Sequence, residues 1–159
     1  MKFDRRAILT VLLATGGSML ATGTRHSLSA QSTVQATANT LYQRLGGYDF
    51  ITRFVDTAFP RVATNAQLSR LFRGHAKDSQ MRQRQLIVDA LCRAAGGPCL
   101  YIGRDLKLVH EGLAITDDDW RVFISIIQST AQELRLAGDT QREFLKMFEG
   151  FRPVVVVKL

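Results

Sequence analysis

From residue 40 onward, hydrophobic side chains recur at helical spacing along most of the chain. Phe50, Ile51, Phe54, Val55, Ala58 and Phe59 follow one another at intervals of three and four, which places them on one helix face. Pro60 has no amide hydrogen and crowds the carbonyl four residues back, so a kink is expected between Asp56 and Pro60. Ahead of this helix, Leu41, Tyr42 and Leu45 predict a short helix ended by Gly46-Gly47. Behind it, Leu68, Leu71 and Phe72 predict another short helical piece ended at Gly74, and residues 75–80 read as a polar loop. Residues 81–95 form an amphipathic pattern with Ile87 and Leu91 on one face and Ala90 and Ala94 beside them. The clearest helix is 116–136, where Trp120, Phe123, Ile124, Ile127, Ala131 and Leu134 make one stripe. Thr116, Asp117 and Asp118 offer acceptors to its first amides. A last helix, capped by Asp139 or Thr140, carries Phe144, Leu145, Met147, Phe148 and Phe151. The run from Val154 to Val157 fits either a helix end packed on the core or an exposed apolar tail.

The stretch 96–116 sits between two of these helices and is the most heavily punctuated part of the chain. Gly96-Gly97-Pro98 stops the preceding helix, because glycine takes left-handed conformations at little cost and proline does not continue a helix. A short loop with Tyr101 and Gly103 follows. Residues 105–110 then read as one or two helical turns stopped near Gly112, with His110 at their end.

The first thirty residues have another character. Lys2, Arg5 and Arg6 precede an apolar stretch from Ala7 through Leu20, and small residues gather at Ser27, Ser29 and Ala30. This is the pattern of an export signal, with cleavage expected after Ala30 and a periplasmic destination. Gly16 and Gly17 break the apolar stretch, which is too short for a membrane span, so no stable span is expected after signal cleavage. Arg5-Arg6 followed by Ala-Ile-Leu resembles a twin-arginine signal, whose route carries folded proteins and suits one that takes up a cofactor before export. An ordinary secretory signal is the alternative. Residues 31–39 are a polar, flexible lead, and 40–159 form one domain. With 46% hydrophobic and 22% charged residues the chain can bury a core, and with three prolines and few β-branched runs the expected fold class is all-α. The net charge of +7 is not gathered into a stripe, so nucleic acid is not an expected partner.

The chain has three histidines. His26 lies in the leader and His75 in the polar loop, where a solvated role is the simplest. His110 follows an apolar residue on the bracketed short helix. On spacing alone a satisfied structural histidine and a metal ligand both remain open. No HxxxH or HExxH pair, no phosphate-binding glycine loop and no nucleophile elbow occurs, and Cys92 and Cys99 lack zinc-site spacing. A lone histidine holds a bare metal poorly. It holds well a metal that arrives with four ligands of its own, as haem iron does.

Leu45-Gly46-Gly47, Phe59 with Arg61-Val62, Leu71-Phe72 with Gly74, Gly96-Gly97-Pro98 with Tyr101 and Gly103, and His110-Glu111-Gly112 with Ile115-Thr116 occur in that order. On these motifs the chain from Leu41 onward resembles a truncated haemoglobin of the first group, a short globin built as a two-over-two helical sandwich. The resemblance implies one haem b, with His110 as the proximal iron ligand and its other ring nitrogen bonded to a backbone carbonyl. It implies Phe72 stacked on the haem and Phe59 at a distal position usually held by tyrosine. Counting back from Gly96-Gly97-Pro98 puts Gln83 and Ile87 at two further distal positions; a register shifted by two would turn Asp89 inward. Leu91, Tyr101, Phe123, Phe144 and Phe148 are candidates for packing on the haem, and Arg84 or Lys107 for pairing with its propionates. Each is open to the plainer reading of core residue or solvated charge.

Two departures matter. Phe59 cannot donate a hydrogen bond to a gas ligand, which leaves Gln83 as the obvious donor. Ala114 stands where the family commonly has glycine. Cys92 and Cys99 flank the Gly-Gly-Pro turn and are expected either to form a disulfide clamp, as export would favour, or to stay as two buried thiols. The implied function is reversible binding of oxygen, with nitric oxide and carbon monoxide as further ligands and an external reductase as partner. The alternatives are a nitric oxide dioxygenase or peroxidase-like enzyme, a six-coordinate electron carrier using His75 or Met81, and a haem-free helical sensor or interaction module.

Overall fold

The computed structural model describes residues 40–74 and 76–156; the expected export signal, the polar lead, His26, His75 and Val157 lie outside the described residues. Among the described residues every regular element is helical: α1 (Leu41–Leu45), α2 (Gly47–Thr64), a 3-10 turn (Ser69–Phe72), α3 (Lys77–Ala94), α4 (Leu106–His110), α5 (Asp117–Glu133), α6 (Gly138–Glu149) and α7 (Arg152–Val155). α2 packs on α3 and on α5, α5 on α6, α1 on α2 and α6, and α4 on α7. The long helices therefore form two stacked pairs, the all-α two-over-two sandwich expected from the sequence. No helix among the described residues is long and apolar enough to cross a membrane.

The core forms where the stripes of α2, α5 and α6 meet. Phe50, Ile51, Phe54, Val55 and Ala58 pack with Ile127, Ala131, Phe144 and Phe148. Phe54 and Phe144 meet edge to face with ring centroids 4.8 Å apart, an arrangement that suits the aromatic quadrupole. A smaller cluster joins Ile115, Trp120 and Val155. It resolves the reading of the C-terminal run: Val155 is buried on the core at the end of α7 while Val154 stays exposed.

Several boundaries differ from the expectation. α2 runs through Pro60 to Thr64 without interruption. Pro60 and Asp56 are both exposed, so the carbonyl that loses its helical donor faces water. α3 begins at Lys77, so residues 77–80 are helix and not loop. Lys77, Asp78, Ser79 and Gln80 are all exposed and leave no apolar rhythm to read, but Asp78 favours a first turn. Neither Asp139 nor Thr140 caps α6. Ala137 holds the cap position, Asp139 lies in the first turn, and Thr140 is buried. α5 ends at Glu133, earlier than expected, and Arg135 takes a left-handed φ of 56°.

The end of α3 is closed three times over. Gly96 adopts φ 81°, and Gly97 N donates to Cys92 O at 2.8 Å while Gly96 N donates to Arg93 O at 3.0 Å, the paired bonds of a Schellman motif. The turn packs so closely that a Cβ on Gly97 would lie 2.5 Å from Tyr42 Cδ2 and 2.8 Å from the Cys92 carbonyl oxygen. Cys92 and Cys99 form a disulfide, which selects between the two expectations. Tyr42 N donates to Ala95 O at 2.8 Å and ties α1 to the same point. Cys99→Ser removes a short cross-link and should lower the unfolding free energy by about 2 kcal/mol, read as a lower urea midpoint at unchanged slope. An unchanged midpoint would show that the turn holds without the disulfide.

Candidate functional site

α4 has only five residues, and its start is fixed by Asp105, whose Oδ1 accepts from Lys107 N at 2.9 Å. One turn on, His110 Nδ1 lies 2.7 Å from the Leu106 carbonyl oxygen. A carbonyl only accepts, so Nδ1 carries a proton, and in the neutral ring Nε2 keeps its lone pair. The backbone thereby fixes both the tautomer and the ring plane, as expected for a histidine whose second nitrogen serves as a ligand.

His110 lines a cavity of about 790 Å³. Protein interiors rarely leave voids much larger than a water molecule, and this volume lies within the range of cofactor pockets. The walls are overwhelmingly apolar. α2 supplies Phe54, Val55, Ala58 and Phe59; the 3-10 turn supplies Leu71 and Phe72; α5 supplies Trp120, Phe123 and Ile127. α3 divides its apolar residues between two faces. Val88 and Cys92 are buried in the core, while Leu86, Ile87, Ala90 and Leu91, with Gln83, follow one stripe along the cavity. This is the register counted back from the Gly-Gly-Pro turn. Asp89 does not line the cavity; its Oδ1 accepts from Gln85 Nε2 at 3.0 Å.

The structure brings all nine residues singled out from the sequence, His110, Phe72, Phe59, Gln83, Ile87, Leu91, Tyr101, Phe123 and Phe148, to this one cavity. Phe59 and Phe72 meet edge to face with centroids 5.7 Å apart, so each ring limits the other. Pro60 does not carry Phe59 away from the cavity. Gln83 Oε1 is buried and has no hydrogen-bond partner within the protein. Tyr101 donates its hydroxyl to Arg104 O at 2.7 Å, leaving its ring as wall.

Three expectations need correction. Phe144 is fully buried in the core and does not line the cavity. Arg84 is committed elsewhere: its Nε and Nη2 donate to the two oxygens of Asp56 at 2.7 and 2.9 Å, bracing α3 against α2. The hydrogen bond from Arg84 to Asp56 leads in holding the guanidinium above its ordinary pKa. Lys107 is exposed and outside the lining; the cations that do line the cavity are Arg82 and Arg93, on α3. The sequence reading also missed Leu106 and Val109; helical spacing would have found Leu106, four residues before His110, but not Val109, its immediate neighbour. It missed Phe151 and Val155, which reach the cavity only through the docking of α7.

Asp119, also in the lining, is 2% exposed. It completes a capping box with Thr116, accepting from Thr116 N at 2.9 Å while Asp119 N donates to Thr116 Oγ1 at 3.2 Å. Gln67 Nε2 donates to its Oδ1 at 2.8 Å, and Arg70 pairs with its Oδ2. Burial works to raise this carboxyl. The Thr116 amide, the Gln67 amide, the Thr116 hydroxyl and the Arg70 charge outweigh it and hold the carboxyl below the ordinary value of 3.8. Its contribution to stability is present above that value and is lost as pH falls through the lower folded value. Asp119→Asn should therefore be less stable than wild type at neutral pH, with the gap closing as urea unfolding is followed below pH 3.8. A gap that stays constant with acid would contradict this network.

No group of three or more His, Cys, Asp or Glu side chains that could hold a bare metal ion occurs among the described residues. The chain matches the family model of bacterial-like globins over residues 40–156. It is similar to the group 1 truncated hemoglobin GlbN of Mycolicibacterium paratuberculosis, 33% identical over 72% of this chain and 82% of that one. It is also similar to the group 1 truncated hemoglobin of Tetrahymena pyriformis, 25% identical over 71% of this chain and 91% of that one. The solved Fe(III) form of the Tetrahymena protein superposes with a TM-score of 0.69 at 22% identity, covering 76% of this chain and all of that one, which speaks for the fold. With a cavity walled by the two helix pairs and matches along the same residues, the chain belongs to the bacterial-like globins, and among them to the group 1 truncated haemoglobins.

Proposed function

We propose that this globin holds one haem b through His110 Nε2 and binds oxygen reversibly. The observation that carries the reading is the hydrogen bond between His110 Nδ1 and the Leu106 carbonyl, on the wall of a cofactor-sized apolar cavity. The residues present fit the group: a flat apolar macrocycle suits the Phe72, Leu91, Phe123 and Phe148 walls, and Gln83, whose Oε1 has no partner within the protein, lines the same space. Haem, when bound, supplies an iron with an open coordination position at which a diatomic gas binds. Arg82 and Arg93 line the cavity and would hold its propionates as charge-assisted partners.

The remaining chemistry belongs to the chain. His110 orients and fixes the axial nitrogen. Phe59 and Ile87 make the distal side apolar and exclude water. Gln83 lines the same space, and its Nε2 would be the donor of a hydrogen bond to the gas. A neutral donor of this kind contributes about 1 kcal/mol, roughly fivefold in affinity. Such a pocket would release oxygen faster than a tyrosine-bearing one and would shield a bound haem less well from oxidation. Nitric oxide and carbon monoxide would be further ligands, and an external reductase would be the partner that keeps a bound haem reduced. The basic, apolar and small-residue pattern of residues 1–30 supports export to the periplasm.

The test is spectroscopic and kinetic. Reduced, haem-loaded protein should change its visible spectrum reversibly with oxygen and with carbon monoxide; failure to do either would overturn the proposal. Phe59→Tyr should slow oxygen release by about tenfold, the effect of a stronger donor, while Gln83→Leu should hasten it roughly fivefold. An unchanged rate in Phe59→Tyr would show that position 59 does not face the gas.

A further inference from the structure

The 3-10 turn that carries Phe72 also carries Arg70. Arg70 Nη1 donates to the Leu113 carbonyl at 3.3 Å, and its Nη2 donates to Asp119 Oδ2. Leu113 follows His110 by three residues, and its own amide donates to the His110 carbonyl at 3.2 Å. One guanidinium therefore spans three places: the turn bearing Phe72, the segment leaving His110, and the first turn of α5.

The segment it reaches cannot hold itself. A five-residue helix has no independent stability in water. Ala114 adopts φ 49°, a left-handed conformation that costs a non-glycine residue about 1 kcal/mol and persists only where neighbours impose it. Asp105 fixes the front of α4, and Arg70 is the side chain that fixes the back. As a surface ion pair Arg70–Asp119 would count for little, since the Arg70 side chain is 39% exposed. Two features set it apart. Its carboxylate partner is buried, and its fork engages acceptors on two different elements, which an ammonium group would not reproduce.

We propose that Arg70 is a positioning residue, a latch between the Phe72 turn and the Leu113 segment that fixes where His110 stands and so sets the strain on its bond to iron. The proposal rests on the reading that His110 holds haem, and its test separates the two. Arg70→Gln and Arg70→Lys are compared with wild type and with Arg61→Ala, which removes a pair with Glu133 outside the cavity. Asp119 keeps Thr116 and Gln67 in the Arg70 variants, so these variants are expected to fold.

In the haem-free chain, amide hydrogen exchange over residues 106–115 should rise about tenfold in Arg70→Gln, the loss expected for a charge-assisted bond. It should rise less in Arg70→Lys and stay unchanged in Arg61→Ala. In the ferrous, haem-loaded protein the iron–histidine stretching band should shift or broaden in Arg70→Gln and recover partly in Arg70→Lys. Unchanged exchange in Arg70→Gln overturns the latch whatever the haem result. Faster exchange with an unmoved band overturns its role at His110. A wild type without a His110-dependent band overturns the haem reading, and with it the claim about iron, while the exchange result still decides whether the latch exists.

Discussion

The structure depends on keeping a large apolar cavity from collapsing. Close packing is the ordinary state of a protein interior, so a space of about 790 Å³ persists only if its walls are held apart by something other than mutual contact. α3 answers this constraint by splitting its apolar residues. Val88 and Cys92 anchor it in the core, and Ile87 and Leu91, one turn apart on the adjoining stripe, are left to face the cavity. The helix is then pinned along its length. The Arg84–Asp56 fork braces it to α2, and the Gly96-Gly97 turn with the Cys92–Cys99 disulfide fixes its end. The opposite wall is pinned by Asp119 and its partners at the start of α5. Each closes an element that borders the cavity.

Within that frame the chemistry is spare. His110 presents one nitrogen because the other is taken by its own helix. Around it the cavity is almost wholly hydrocarbon, and half-buried Gln83 carries a buried oxygen unclaimed by the protein. A pocket so built favours small neutral ligands and offers little to proton-transfer chemistry, because the buried carboxylate nearby is fully engaged in capping and pairing. This favours gas binding over the peroxidase-like alternative. Met81 is 70% exposed and does not line the main cavity, so it is poorly placed as a second axial ligand.

Much of this was legible in the sequence because periodicity and punctuation report local physics. The stripes of α2 and α5 and the glycine stops delimited the helices, and the resemblance carried by the motifs between them implied a shared site for His110, Phe72, Gln83 and Ile87, all four of which line the cavity. The rest was hidden for identifiable reasons. The first turn of α3 is polar all round, so helical rhythm could not reveal it. Pro60 reads as a kink, and the helix nonetheless continues through it to Thr64. Phe144 and Phe148 share a face, and tertiary packing alone decides that Phe144 goes to the core and Phe148 to the cavity. Arg84 looked like a propionate partner until Asp56, 28 residues away in sequence, was seen to claim it. Long-range pairing of this kind leaves no mark in a single sequence.

The account turns on His110 Nε2 as an axial ligand, and the most direct measurement is a haem titration followed by absorption spectroscopy, with His110→Gly beside wild type. Wild type should take up one haem per chain with a globin-type Soret band. His110→Gly should lose that band or shift it, and added imidazole, filling the space of the missing ring, should restore it. A wild type that takes up no haem, or a His110→Gly protein whose spectrum matches wild type without imidazole, would contradict the account.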